Sequence, residues 1–331
     1  MQQFNYRFLV QHIAKLAVGG LLLLPLLASA VDAYPSKPIK IIVPFAAGGP
    51  ADVYARFVGQ RLQAVLKQGI VIDDRPGAGA VIGTDVVARS EPDGYTLLLM
   101  SNTHTVNESL LPNKPFKLMR DFVPIAPINY SDLVLVVNPA VKATNLAELL
   151  ALAKAKPGSL TYASSGTGTP YHMAGELFKS MAGVSMLHVP YKGSSNARTD
   201  VLGGQVNMML DAVPTMAEFI RTGKVRAIAT TGKQRSNVLP NLPTMAEAGL
   251  PGYEAVIWLG LMAPKGTPAA IVDRLNREIG KIVSEPEVVQ LWAKQGATPM
   301  KMTPAEFGKY IDEDIVKWAQ IVKVSGARAD R

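Results

Sequence analysis

Short β-branched runs alternate with helix-period patterns along most of this chain. Segments 39–45, 70–73, 96–100, 133–137, 160–163, 187–189, 206–210, 225–231 and 255–262 read as strands. Between many of them, 51–66, 146–156, 170–181, 194–202 and 215–222 carry helical spacing, and beyond Pro268 the pattern turns wholly helical over 269–283, 286–295 and 304–324. Alternation of this kind commits a chain to βα units, with mostly parallel sheets and helices on both faces. The predicted fold class is α/β. At 331 residues a single core has usually stopped growing, which predicts two lobes.

Two turn-rich places mark crossings between lobes. One is 129–132, after the proline-punctuated 123–127; the other is 249–253. Two crossings build one lobe from both ends of the chain, predicting 34–131 with 253–310 as lobe 1 and 132–252 with 311–331 as lobe 2. Ligands of such proteins bind in the cleft, beyond the carboxyl ends of the strands.

The N-terminus reads as an export signal. Arg7 and Lys15 precede an apolar run over 16–28, and Ala28-Ser29-Ala30 supplies the small residues of a cleavage site. The run is shorter than the roughly 20 residues a bilayer span needs. A signal peptide over 1–30, or to the second small-residue site at Ala33, predicts an exported protein. There are no cysteines, which removes disulfides, thiolate metal sites and cysteine nucleophiles. The formal net charge is +8, but Lys and Arg are scattered without a basic block, so the footprint of a nucleic-acid binder is missing.

Two strand–loop–helix junctions carry the chemistry. In Pro44-Phe45-Ala46-Ala47-Gly48-Gly49-Pro50-Ala51-Asp52, glycines allow a tight turn and Pro50 suits the first helical position. Backbone N–H groups at such a helix start bind a carboxylate without a charged side chain. Asp52 reads either as a partner of the helix dipole or as a ligand contact. The second junction is Ser164-Ser165-Gly166-Thr167-Gly168-Thr169-Pro170, with Thr169 as N-cap and Pro170 at N1. Valine at Gly48 or Gly168 is expected to cost affinity and leave the fold largely intact.

Other chemistries find little support. The glycines of 77–83 are spaced G-x-G-x-x-x-G after Arg75-Pro76, which is not a dinucleotide fingerprint. No Gly-x-Ser-x-Gly elbow occurs, so an exported serine-type hydrolase needs Ser164 or Ser165 to borrow His104, His172 or His188 as base. His172 and Glu176 are four residues apart without a third metal ligand, and His172 reads as a hydrogen-bonded structural histidine. Met208-Met209 read as core filler.

The segments 34–39, 44–52, Arg75-Pro76-Gly77-Ala78-Gly79, 92–97, Val189-Pro190-Tyr191-Lys192-Gly193, 203–206 and 259–264 together resemble the Bug family, the substrate-binding proteins of tripartite tricarboxylate transporters. The resemblance implies a two-lobed type II periplasmic-binding-protein fold, no metal or cofactor, and no catalysis. It implies a small carboxylate ligand (a dicarboxylate, aromatic acid or amino acid) and a membrane permease as partner; a monomer is the default expectation, independent of the resemblance. A binding protein feeding a sensor kinase shares the same cleft. The implied ligand contacts are Phe45, Ala47, Gly48, Gly49 and Asp52 in the first loop, Ala78 and Gly79 in the next, and Ser101 after the third strand. In the other lobe they are Ser164, Ser165, Gly166, Thr167, Gly168, Thr169, His172, Tyr191 and Asp211. Ala51 and Val81 stand where polar residues are usual, which favours a ligand poor in hydroxyls.

Overall fold

The computed structural model describes residues 34–328, and the export signal read in 1–33 lies outside them. All elements below belong to the compact unit Lys37–Arg331. Two parallel sheet ends are joined by long antiparallel strands. At one end β1 (Ile39–Val43) lies between β2 (Ile70–Asp74) and β3 (Thr96–Ser101), all parallel. At the other, β5 (Thr161–Ser164) lies between β6 (Leu187–Pro190) and β7 (Met208–Ala212), again parallel. The helices between them are α1 (Pro50–Leu66), α2 (Val81–Ala88), α3 (Asn102–Leu110), α4 (Leu118–Asp121), α5 (Leu146–Ala155), α6 (Pro170–Ala182), α7 (Ser194–Leu202) and α8 (Val213–Arg221).

The joining piece is β4 (Phe122–Val137), 16 residues long. Its first part, to Asp132, pairs antiparallel with β9 (Val256–Pro264), which also pairs with β3. From Leu133 onward it pairs antiparallel with β7 and with β8 (Arg226–Thr230). The expectation of mostly parallel sheets therefore holds only at the two ends. The proline-punctuated 123–127 and the segment 129–132, expected as a turn-rich crossing, lie within β4. Pro124 and Pro127 cannot donate to a ladder, and the register against β9 shifts at both, so the prolines are carried at irregularities instead of ending the strand.

Both faces of the second part of β4 are buried, as side-chain alternation in a covered strand requires. Leu133, Leu135 and Val137 pack with Tyr162, Phe178, Met208 and Leu210, while Val134 and Val136 pack with Met209, Val201 and Met216 on the opposite face. Met208 and Met209 are thus core residues, as expected. Ile42, Leu98, Phe122, Trp258 and Phe307 fill the core of the other end.

The C-terminal run contains α9 (Ala269–Val283), α10 (Pro286–Gln295) and α11 (Pro304–Ser325), but it is not wholly helical. The three-residue β10 (Ala297–Pro299) pairs antiparallel with Asn129–Ser131 of β4. Helix α11 packs on both α3 and α6. Its Trp318 is buried with Val106 and Leu110 of α3 and Met173 of α6. Among the described residues no helix is long and apolar enough to cross a membrane.

Candidate functional site

The first loop leaves β1 at Val43, turns at Gly48 with φ +75°, and enters α1 with Gly49 as extended N-cap and Pro50 next. Asp52 is buried, and its Oδ2 accepts the Gly48 N–H at 2.8 Å. Its Oδ1 lies 2.5 Å from Arg56 Nε, and Arg56 reaches Asp74 at 2.8 Å. Asp52 therefore braces the loop from inside. Ala46, Ala47 and Gly48 are exposed, and among the described residues the Ala46 and Ala47 amides donate to no protein acceptor. Gly48 supplies the turn, and its neighbours supply the open donors.

Phe45 sits edge-on to His104 at 5.9 Å. His104 is fully buried and desolvation pulls it down to about 4, so the ring is neutral. It accepts the Ser101 N–H at 3.1 Å, and its Nε2 lies 3.0 Å from Thr84 Oγ1. Ser101, expected among the ligand contacts, is buried and caps α3 by accepting the Thr103 N–H at 3.2 Å. These bonds make both residues a floor beneath the first loop.

The second loop is a run of left-handed backbone: Gly77 at φ +132°, Ala78 at +49°, Gly79 at +61° and Ala80 at +77°. Alanine tolerates that region poorly, so outside bonds must hold it. Thr84 Oγ1 donates to the Ala80 carbonyl at 2.7 Å, and Asn107 Nδ2 to the Gly79 carbonyl at 2.7 Å. Ala78 and Gly79 are exposed. Val81 is half-buried and packs against the core cluster that contains Ile42 and Leu98.

The third loop joins β5 to α6. Thr169 is the extended N-cap and Pro170 follows, as expected, but the Thr169 hydroxyl donates to the Gly166 carbonyl at 2.7 Å instead of capping the helix. Ser164 is fully buried; its Oγ accepts the Gly166 N–H at 3.1 Å and lies 2.6 Å from His188 Nε2. A hydroxyl so enclosed is closed to a substrate, so Ser164 does not serve as an exposed nucleophile. The Gly168 N–H goes to His172 Nδ1 at 3.1 Å, whereas the half-buried Ser165 keeps an amide without a protein acceptor among the described residues. Thr167 is also half-buried.

The side chains of Tyr191 and Asp211, expected as walls, are paired with other residues, while the Tyr191 N–H donates to the Ser164 carbonyl at 3.0 Å beside the third loop. The Tyr191 hydroxyl donates to Asp200 at 2.6 Å, and burial with that carboxylate pushes it up to about 12. Asp211 is fully buried; burial raises its carboxyl, opposed by Arg198, whose Nε and Nη2 stand 3.0 and 2.9 Å away.

All three loops meet around α3. Asn107 holds Gly79, and a Cβ placed on Gly168 would lie 3.4 Å from Asn107 Oδ1 and 2.5 Å from Leu110 Cδ2. Asn107, Leu110, His104 and Thr84 were absent from the sequence-derived site. The Ser-Asn-Thr run after β3 was the available signal, a helix cap that reads equally well as a loop. A cavity of about 580 Å³, lined by Ile220, Arg226, Val238 and Leu242 among others, includes no residue of these loops.

Comparison with known proteins gives the family and the fold. The model of the tripartite tricarboxylate transporter family receptor, TctC, matches residues 54–327. BugT of Bordetella pertussis is 42% identical over 301 residues, spanning 90% of this chain and 92% of BugT. R. palustris Rpa4515 with adipate has a TM-score of 0.84 at 32% identity, covering 90% of this chain and 100% of that one. MatC of Rhodopseudomonas palustris with bound malate has a TM-score of 0.80 at 29% identity, covering 87% and 100%. The fold is that of type II periplasmic solute-binding proteins, and the family is one of receptors, not enzymes. The chain belongs to the TctC, or Bug, family of solute-binding receptors of tripartite tricarboxylate transporters.

Proposed function

We propose that this chain is a periplasmic binding protein that holds a small carboxylate among the loops 45–52, 75–80 and 164–169 and presents it, as a monomer, to a membrane permease. The observation that carries this reading is the convergence of three glycine-bearing loops on α3, with the Ala46, Ala47 and Ser165 amides left as donors. Amides at strand-to-helix junctions suit an anion of modest size. Adipate in Rpa4515 and malate in MatC support the ligand class. The lobes are taken as 34–131 with 253–310 and 132–252 with 311–331. The exchange of partners along β4 between Asp132 and Leu133 supports that boundary. Of the expected contacts, Ala47, Gly48, Gly49, Ala78, Gly79, Ser165, Gly166 and Thr167 lie on the accessible loops, while Ser101, Asp52 and Ser164 act from beneath.

A thermal-shift screen over dicarboxylates, aromatic acids, amino acids, sugars and simple cations tests the proposal. A ligand at 100 times its Kd stabilises a protein by about 2.7 kcal/mol. Stabilisation confined to sugars or cations would contradict an anion cradle, and chemical conversion of a bound carboxylate would contradict a binder.

A further inference from the structure

We infer that His172, with His188 stacked on it, is a positioning residue that sets the backbone of the 164–169 loop, an inference that rests on the carboxylate-binding reading above. His172 is 4% exposed, so it supports the loop from below. Because the Gly168 N–H is donated to Nδ1 at 3.1 Å, that nitrogen carries no proton. The proton then sits on Nε2, which faces Glu176 Oε1 at 3.8 Å. Glu176 is itself held by Lys179 at 2.7 and 3.0 Å and by the Tyr162 hydroxyl. The tautomer is thus selected from both sides of the ring.

The His172 ring stacks on His188 with centroids 4.0 Å apart and planes 20° apart, and His188 stacks in turn on Tyr162 at 4.9 Å. His188 Nε2 lies 2.6 Å from Ser164 Oγ, the acceptor for the Gly166 N–H. One aromatic stack therefore grips the loop at both ends, through Ser164 and Gly166 at the strand and through Gly168 at the helix. The Ser165 and Thr167 backbone is suspended between those grips.

The test compares His172→Asn with His172→Gln. Asparagine places its amide oxygen near the Nδ1 position and keeps an acceptor for Gly168; glutamine carries its polar end toward Glu176 and leaves the Gly168 amide unmatched. Both variants lose the stack and melt earlier than the wild type. Binding separates them: with adipate and malate as probes, H172N stays within about threefold of the wild type and H172Q weakens by roughly tenfold, as loss of one aligning hydrogen bond implies. Histidine ¹⁵N NMR of the unliganded wild type shows His172 as the Nε2–H tautomer. H172Q binding as tightly as the wild type, or an Nδ1–H tautomer, overturns the inference. Wild-type protein that binds neither adipate nor malate counts against the carboxylate reading instead, and the tautomer then decides alone whether His172 holds Gly168.

Discussion

Gly48 and Gly168 make a controlled pair, because they share a left-handed backbone, φ +75° and +79°, but not their surroundings. Alanine in that region costs about 1–2 kcal/mol, partly offset by a stiffer unfolded chain worth about 0.4–1 kcal/mol. At Gly48 a new Cβ meets nothing within 4 Å, so Gly48→Ala should cost about 1 kcal/mol or less. At Gly168 the same methyl lies 2.5 Å from Leu110 Cδ2. Leu110 cannot swing aside freely, since it is buried with Met173 and Trp318. Forced overpacking adds about 1–3 kcal/mol, giving roughly 2–4 kcal/mol for Gly168→Ala. Urea unfolding with linear extrapolation reads both losses. Adding Leu110→Ala should relieve the clash, so the double mutant should be more stable than the summed single losses predict, by about 1–2 kcal/mol. Equal losses at the two glycines, or strict additivity with Leu110→Ala, would refute the clash. A side chain at Gly168, unlike one at Gly48, should therefore cost stability as well as affinity, because Leu110 stands where it would go.

Ala80→Gly should stabilise the protein by about 0.5–1 kcal/mol, since it removes a left-handed alanine at φ +77°; a loss in urea titration would mean that Ala80 carries no strain. Burial, reinforced by Glu254, raises the Asp132 carboxyl to about 6. The native state then binds this proton more tightly than the unfolded chain, so ionisation costs stability as pH climbs from about 4 to 6. Asp132→Asn should accordingly gain on the wild type by ~2 kcal/mol between pH 4 and pH 7, and parallel pH–stability curves for the two would count against it. Arg198→Met strands the buried Asp211 carboxylate and should cost about 3–5 kcal/mol; Asp211→Asn in the same chain should recover part of that, and no recovery would show that the ion pair is not the cause.

The legible parts of this fold are those set by neighbours in sequence. Strand runs, the Pro50 and Pro170 helix starts and the glycine turns follow from local dihedral preference and side-chain period, and they stand where the spacing predicts them. Pro124 and Pro127 misled, because proline usually breaks a strand and here the strand absorbs it by shifting register. Sheet direction was misread for another reason: the chain before and after β4 looks like βα units, but β4 and β9 run antiparallel through the middle, a long-range pairing that periodicity does not encode. Asp52 was legible as a charge in a helix's first turn and Asp211 as an expected wall, but neither as a brace, since their partners are fixed only by the folded chain.

The strongest example of such distance is the support beneath the loops. Thr105 of α3 donates to Asp314 of α11 at 2.6 Å across a separation of 209 residues. Trp258 and Trp318 donate indole N–H groups to the same carboxylate at 3.2 and 3.1 Å. Burial raises the Asp314 carboxyl, while these hydrogen bonds and Lys317 favour its charged form. A desolvated carboxylate surrounded by donors tolerates little displacement, so it fixes α11 against α3 at one point. Farther along α11, Trp318 meets Leu110 and Met173 through apolar contact alone, which has no preferred direction. Helix α11 thus holds α3 by directional bonds as well as packing, and meets α6 through the packing of Trp318 on Met173.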